Sequence, residues 1–119
     1  MSSKRHLQRK SLVFYCEVFD RKTGLLIGRM NDLNEEGIML LGSSPLEVKK
    51  LYEVKVVFPF ELAGKTELEL DAQCLRCQQD INPDLWDIGF RLERMTPLKR
   101  KLLEALIERL AIDEQVSDY

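Results

Sequence analysis

The sequence predicts a mainly β protein, a small antiparallel barrel with one amphipathic helix packed against it at the C-terminal end. Three observations carry this prediction. Between Leu12 and Leu92, apolar residues recur with a period of two in short runs separated by turn residues. At Thr96-Pro97 the period lengthens to that of a helix. The chain has 119 residues, enough for one domain with a single core and too few for two.

The elements follow in order. "LVFYCEVF" is rich in aromatic and branched residues and stops at "DRKTG", where Asp20 and Gly24 signal a turn. "LLIGRM" returns as its partner, with Gly28 marking a bulge or a close approach of backbones. "NDLNEEG" breaks the pattern, and "IMLL" resumes it as far as "GSSP". From Leu51 the alternation is clear: Tyr52, Val54, Val56 and Phe58 share one face, and Glu53 and Lys55 take the other. Pro59 is expected to end that strand, with "AGK" as the next turn. In "ELELDAQCLR" the inward row is Leu68, Leu70, Ala72 and Cys74, opposed by Glu67, Glu69, Asp71 and Gln73. "DINPD" turns the chain, and Trp86, Ile88, Phe90 and Leu92 form the last core-facing row.

Thr96 is a good N-cap, and proline is favoured at the first helical position. Leu98, Leu102, Leu103, Leu106, Ile107 and Leu110 then fall at helical spacing, with Lys, Arg and Glu between them. The expected organisation is a basic arm over residues 1–10, a barrel over 11–95, a helix over 97–112 and an acidic, frayed tail over 113–119. The edge of the helix stripe leaves a homodimer seam open as an option.

Composition narrows the function. A hydrophobic fraction of 45% and a charged fraction of 32% are those of an ordinary globular domain. No apolar run approaches the roughly 18 residues of a membrane helix, and the basic N-terminus lacks the apolar core of a secretion signal. Three cysteines, an odd number without such a signal, point to a reducing cytoplasm. The net charge of -2 gives no general attraction to nucleic acid or anionic lipid, so anion binding must be local.

Catalytic constellations are not indicated. The one histidine, His6, lies in the basic arm, which cannot hold a base rigidly enough for nucleophilic catalysis. Glu35 and Glu36 are adjacent in a turn and read as solvated. Cys74 and Cys77 have C-x-x-C spacing and could join Cys16 and His6 in a zinc set. On a regular strand, however, positions three apart face opposite ways, so the reading is buried thiols and no metal.

The arm and the "NDLNEEG" turn remain. "KRHLQRK", residues 4 to 10, holds five basic or imidazole side chains and no carboxylate. Arg5 and Arg9 point to about the same side whether the arm is extended or helical. Two guanidinium groups so placed can stack on bases, fork onto a guanine edge and pair with phosphates. In the turn, Asp32 is an acceptor suited to the N–H edge of guanine, Asn34 carries an amide, and Gly37 permits positive φ or close backbone approach.

In this order and at this separation the two segments resemble the PilZ domain, the bacterial receptor module for cyclic di-GMP. Its signatures are R-x-x-x-R before the first strand and [D/N]-x-S-x-x-G in a later turn. Here they stand as "RHLQR" and "DLNEEG", with Asn34 where serine is usual and Cys77 near a position where many members carry tryptophan. The likeness covers nearly the whole chain, including "DIGFRLERMTP" at the last strand.

The resemblance implies a six-stranded split barrel, no enzymatic activity and no cofactor. It implies that Arg5 and Arg9 grip the guanines and phosphates of cyclic di-GMP while Asp32, Asn34 and Gly37 hold the other edge. Lys4 adds charge, and a basic residue there tends to accompany two intercalated ligand molecules. Binding would order the arm and present a new surface to a downstream protein controlling motility, biofilm or exopolysaccharide output. One alternative is a divergent PilZ-like adaptor of the pilus-assembly type that binds no nucleotide. Another is a barrel for single-stranded nucleic acid, disfavoured by the outward Glu67, Glu69 and Asp71.

Overall fold

Six antiparallel strands close into a barrel in the order β1-β2-β3-β6-β5-β4. They are β1 (Glu17–Asp20), β2 (Leu26–Leu33), β3 (Gly37–Gly42), β4 (Leu51–Leu62), β5 (Lys65–Gln79) and β6 (Trp86–Glu93), followed by helix α1 (Pro97–Val116). This computed structural model describes residues 15–116, with side chains described over 15–111. The expected fold class, a mainly β six-stranded barrel with a C-terminal helix, is the one observed. Lys4, Arg5, His6 and Arg9, the residues singled out in the arm, lie outside the described residues.

Alternation builds the core as the sequence implies. Val18, Met30, Leu40, Val54, Leu70 and Ile88 are among the residues that face inward and are almost fully buried. Tyr52 meets Phe90 edge-on at 6.0 Å between ring centroids. Pairing of β1 with β4 and of β3 with β6 closes the ring and leaves no open sheet edge among the described strands.

Register shifts interrupt four ladders: β1–β2 between Val18 and Phe19, and β2–β3, β4–β5 and β5–β6 as follows. β4 does not stop at Pro59 but runs on to Leu62, its register with β5 shifting between Val57 and Leu62. The missing proline N–H falls where the ladder is interrupted, so it costs no bond. Phe60, beyond the proline, stacks on Phe58 at 5.7 Å and lies under the Arg109 guanidinium at 4.1 Å, which ties this strand end to α1. β2 continues through Asn31 to Leu33 by means of a bulge between Met30 and Asp32. β5 carries a second bulge between Cys74 and Arg76.

That second bulge corrects the expectation about the cysteines. Cys74 pairs with Phe90 and Cys77 with Ile88, both inward residues, so the two thiols face the same side of the sheet. Cys77 is half-buried against the core, and its Sγ accepts the Leu46 N–H at 3.3 Å. Burial pushes the Cys16 thiol up to about 12 and raises that of Cys74. No cluster of three or more metal-ligating side chains occurs among the described residues.

The Thr96 Oγ1 accepts the Lys99 N–H at 3.2 Å, capping α1 as expected. Leu103, Leu106 and Leu110 are buried, Leu102 and Ile107 half-buried, and Leu98 stays exposed. The helix continues four residues past the expected end at 112, through Asp113, Glu114, Gln115 and Val116. Among the described residues, no helix is long and apolar enough to cross a membrane.

Candidate ligand-binding site

The turn singled out in the sequence closes the β2–β3 hairpin, and its groups are placed by hydrogen bonds within it. Asn34 Oδ1 accepts the backbone N–H groups of Glu36 at 2.8 Å and of Gly37 at 3.1 Å. The Asn34 N–H in turn donates to the Gly37 carbonyl at 3.0 Å. The side-chain carbonyl thus braces the loop, leaving the amide Nδ2 as its remaining donor group. The Glu36 carbonyl accepts the Leu92 N–H at 2.9 Å, which fastens the turn to β6.

Asp32 reaches the outer surface only because of the β2 bulge. Met30 is buried, so strict alternation would turn Asp32 inward as well. The extra residue, Asn31, resets the phase: Asp32 pairs with Met39 on the outer face, and Leu33 pairs with the buried Ile38. Asp32 is exposed, and its Oδ1 accepts the Leu33 N–H at 2.9 Å.

Of the two readings of Gly37, close approach is the one observed. It pairs with Arg91, and a Cβ there would overlap the Phe90 carbonyl oxygen. Gly28 is constrained in the same way, since its Cβ would come 2.5 Å from the Leu41 carbonyl oxygen.

Beside the turn, a groove of about 500 Å³ opens on the outer face of β3, β6 and β5. Asn34, Glu35, Glu36 and Gly37 form one wall, while Met39 and Leu75 supply apolar surface. Leu75 is the bulge residue of β5 and remains about half exposed. The groove also takes in Arg91 and Arg100, two guanidinium groups not singled out in the sequence. Arg91 Nε donates to Glu93 Oε2 at 2.7 Å, and its Nη2 to Gln73 Oε1 at 2.8 Å. Cys77 faces inward, and the side chain that β5 presents to the groove is Leu75. The outward phase of Arg91 was legible from the alternation of β6, but its place beside the glycine of the turn motif comes from the pairing of β3 with β6.

A hairpin turn of this composition, on this barrel, beside a groove lined by two arginines, meets its counterpart in sequence comparison. Residues 3–109 match the PilZ domain. The chain belongs to the PilZ domain family. Among solved structures, the PilZ domain of YcgR from Escherichia coli, determined with cyclic di-GMP, superposes with a TM-score of 0.63 at 16% identity, covering 90% of this chain and 91% of that one. The Bacillus subtilis inhibitor of motility MotI (DgrA) superposes with a TM-score of 0.62 at 12% identity over 81% of this chain. This PilZ chain spans only 47% of MotI. No curated protein sequence matches it. At these identities the structural likeness speaks to the PilZ barrel itself.

Proposed function

We propose that this PilZ domain is a cyclic di-GMP receptor, with Lys4, Arg5 and Arg9 of the arm and Asp32, Asn34 and Gly37 of the turn as its contacts. It acts without catalysis, through a downstream protein in the cytoplasm, and motility is the output that its likeness to MotI favours. The observation that carries this is the position of Asn34–Gly37 of the turn at the wall of a groove that also holds two arginines. The arm adds cationic groups able to stack on guanines and pair with two phosphates.

Calorimetric titration tests the reading directly. Cyclic di-GMP should bind in preference to GTP, GMP and a random single-stranded oligonucleotide. Arg5→Ala and Arg9→Ala should each weaken binding by about 1.5–3 kcal/mol, the value of a charge-assisted hydrogen bond. Melting temperature should hardly change. Amide exchange near residues 5–9 should slow on ligand addition, as an ordering switch requires. Normal binding by both variants would remove the arm from the site.

One observation favours a second reading, an adaptor that binds no nucleotide. The Asn34 carbonyl is already engaged within the turn, and the Glu35 and Glu36 carboxylates line the groove. Absence of any heat with cyclic di-GMP would decide for the adaptor.

A further inference from the structure

The row of outward residues crossing β3, β6 and β5 beside the turn runs Gly37, Arg91, Gln73. The preceding row runs Met39, Gly89, Arg76. Arg91 therefore has a glycine beside it on β3 and another two residues earlier on its own strand. No side chain stands beside it at Gly37, while the Met39 side chain covers the surface over Gly89. Its side chain is 56% exposed.

A guanidinium has five N–H donors. The bonds to Glu93 and Gln73 use Nε and one N–H of Nη2, so three donors remain to meet a ligand. The charges around the groove explain why Arg91 should matter. Two guanidinium groups, Arg91 and Arg100, stand against the carboxylates of Glu35, Glu36 and Glu93. Among the described residues around the groove the carboxylates outnumber the guanidinium groups, so positive charge comes chiefly from the arm of the proposed site. An Arg91 released from Glu93 would bring one more guanidinium to a dianionic ligand.

We propose that Arg91 is a specificity-determining contact of this site. In this account it reads the phosphate or guanine edge of the bound dinucleotide, and Glu93 is the carboxylate that competes with the ligand for it. The proposal rests on the cyclic di-GMP reading above. It adds a contact from β6, next to Gly37 of the turn, where the sequence motifs place none. The affinity of the domain would then be set partly by an ion pair internal to the protein, whose strength falls when Glu93 is neutralised.

The test is a double-mutant cycle read by titration with cyclic di-GMP. Arg91→Gln should weaken binding about tenfold or more, as loss of a charge-assisted contact does. Arg91→Lys, which keeps the charge but not the fork, should fall between Arg91→Gln and the unaltered protein. Glu93→Gln should tighten binding several-fold, and the gain should vanish when combined with Arg91→Gln. An equal gain in both backgrounds would mean that Glu93 acts only through its distant charge, which overturns the competition. Unchanged affinity in Arg91→Gln overturns the contact itself. Failure of the unaltered protein to bind would instead remove the receptor reading. Melting curves on all variants guard against misfolding, which the exposure of Arg91 makes a minor concern.

Discussion

The side-chain oxygen of Asn34 accepts the backbone N–H of Gly37 at 3.1 Å, so one residue both braces the turn and faces the groove. These two duties can be separated chemically. Asn34→Asp keeps an oxygen acceptor for the turn but exchanges the Nδ2 donor for negative charge. It should fold with unchanged stability and bind cyclic di-GMP distinctly more weakly. Asn34→Ala removes the brace and should lose about 0.5–1.5 kcal/mol of stability as well as affinity. Asn34→Ser, with a hydroxyl able to make a similar local bond, should retain or improve affinity. Thermal melts and titrations on the three variants check this, and equal affinity in all of them would assign the turn a purely structural role.

The β4–β5 hairpin carries a local conflict. Leu62 pairs with Lys65, so Ala63 and Gly64 form a two-residue loop, with φ of 53° and 76°. Such loops favour Asn-Gly, because alanine in the left-handed region brings its Cβ close to the carbonyl. Ala63→Asn should therefore stabilise the domain by about 0.5–1 kcal/mol, seen as a higher urea midpoint with the same slope. A lower midpoint would show that the loop is held by something other than its own backbone preference.

Arg21 links the end of β1 to β5. Its Nη2 lies 2.7 Å from Asp71 Oδ1, and its Nη1 lies 3.3 Å from Glu69 Oε1. Glu69 is well exposed and contributes little, whereas the Asp71 side chain is only 13% exposed and depends on its partner. Arg21→Met keeps the aliphatic stem but leaves Asp71 with Arg94, 3.7 Å away. A loss of about 1–3 kcal/mol is expected, partly recovered by adding Asp71→Asn. No recovery would place the loss in packing and not in the abandoned carboxylate.

Asp87 supplies a pH signature. Partial burial raises its carboxyl from the ordinary 3.8, and the hydrogen bond and charge of Asp80 raise it further, against the opposing pull of Arg76. The folded chain therefore holds this proton more tightly than the unfolded one. The associated stabilisation is complete at pH below 3.8 and is lost as pH rises through the raised value. Asp87→Asn should melt slightly higher than the unaltered protein at neutral pH. The difference should close as pH is lowered. A constant difference across the range would dissociate it from the carboxyl pair.

How much of this was written in the sequence can be traced residue by residue. Strands whose inward rows alternate without interruption, such as Tyr52 to Phe58 and Trp86 to Leu92, were legible because burial on one face demands that pattern. The Thr96-Pro97 start of the helix was legible because its signals are local. The bulges at Asn31 and Leu75 were not, since an extra residue shifts the phase without leaving a compositional trace. Those two bulges put Asp32 on the outer face and Cys77 on the inner one. Pro59 misled for a related reason, because an interrupted ladder tolerates what a regular one rejects. Asp32, Asn34 and Gly37 were identified through their spacing, but the neighbourhood of Arg91 depends on the pairing of β3 with β6, which no local signal records.

That pairing has a consequence for timing. The barrel consists of two meanders, β1-β2-β3 and β4-β5-β6, each built from hairpins between neighbours in sequence. They join where residues as distant as Ile38 and Phe90 meet. The turn belongs to one half and Arg91 to the other, so the groove comes into being only when the halves dock. A nascent chain still lacking Trp86–Glu93 offers no groove to the proposed ligand. A ligand of this groove should accordingly slow unfolding without hastening refolding, because only the finished barrel can bind it.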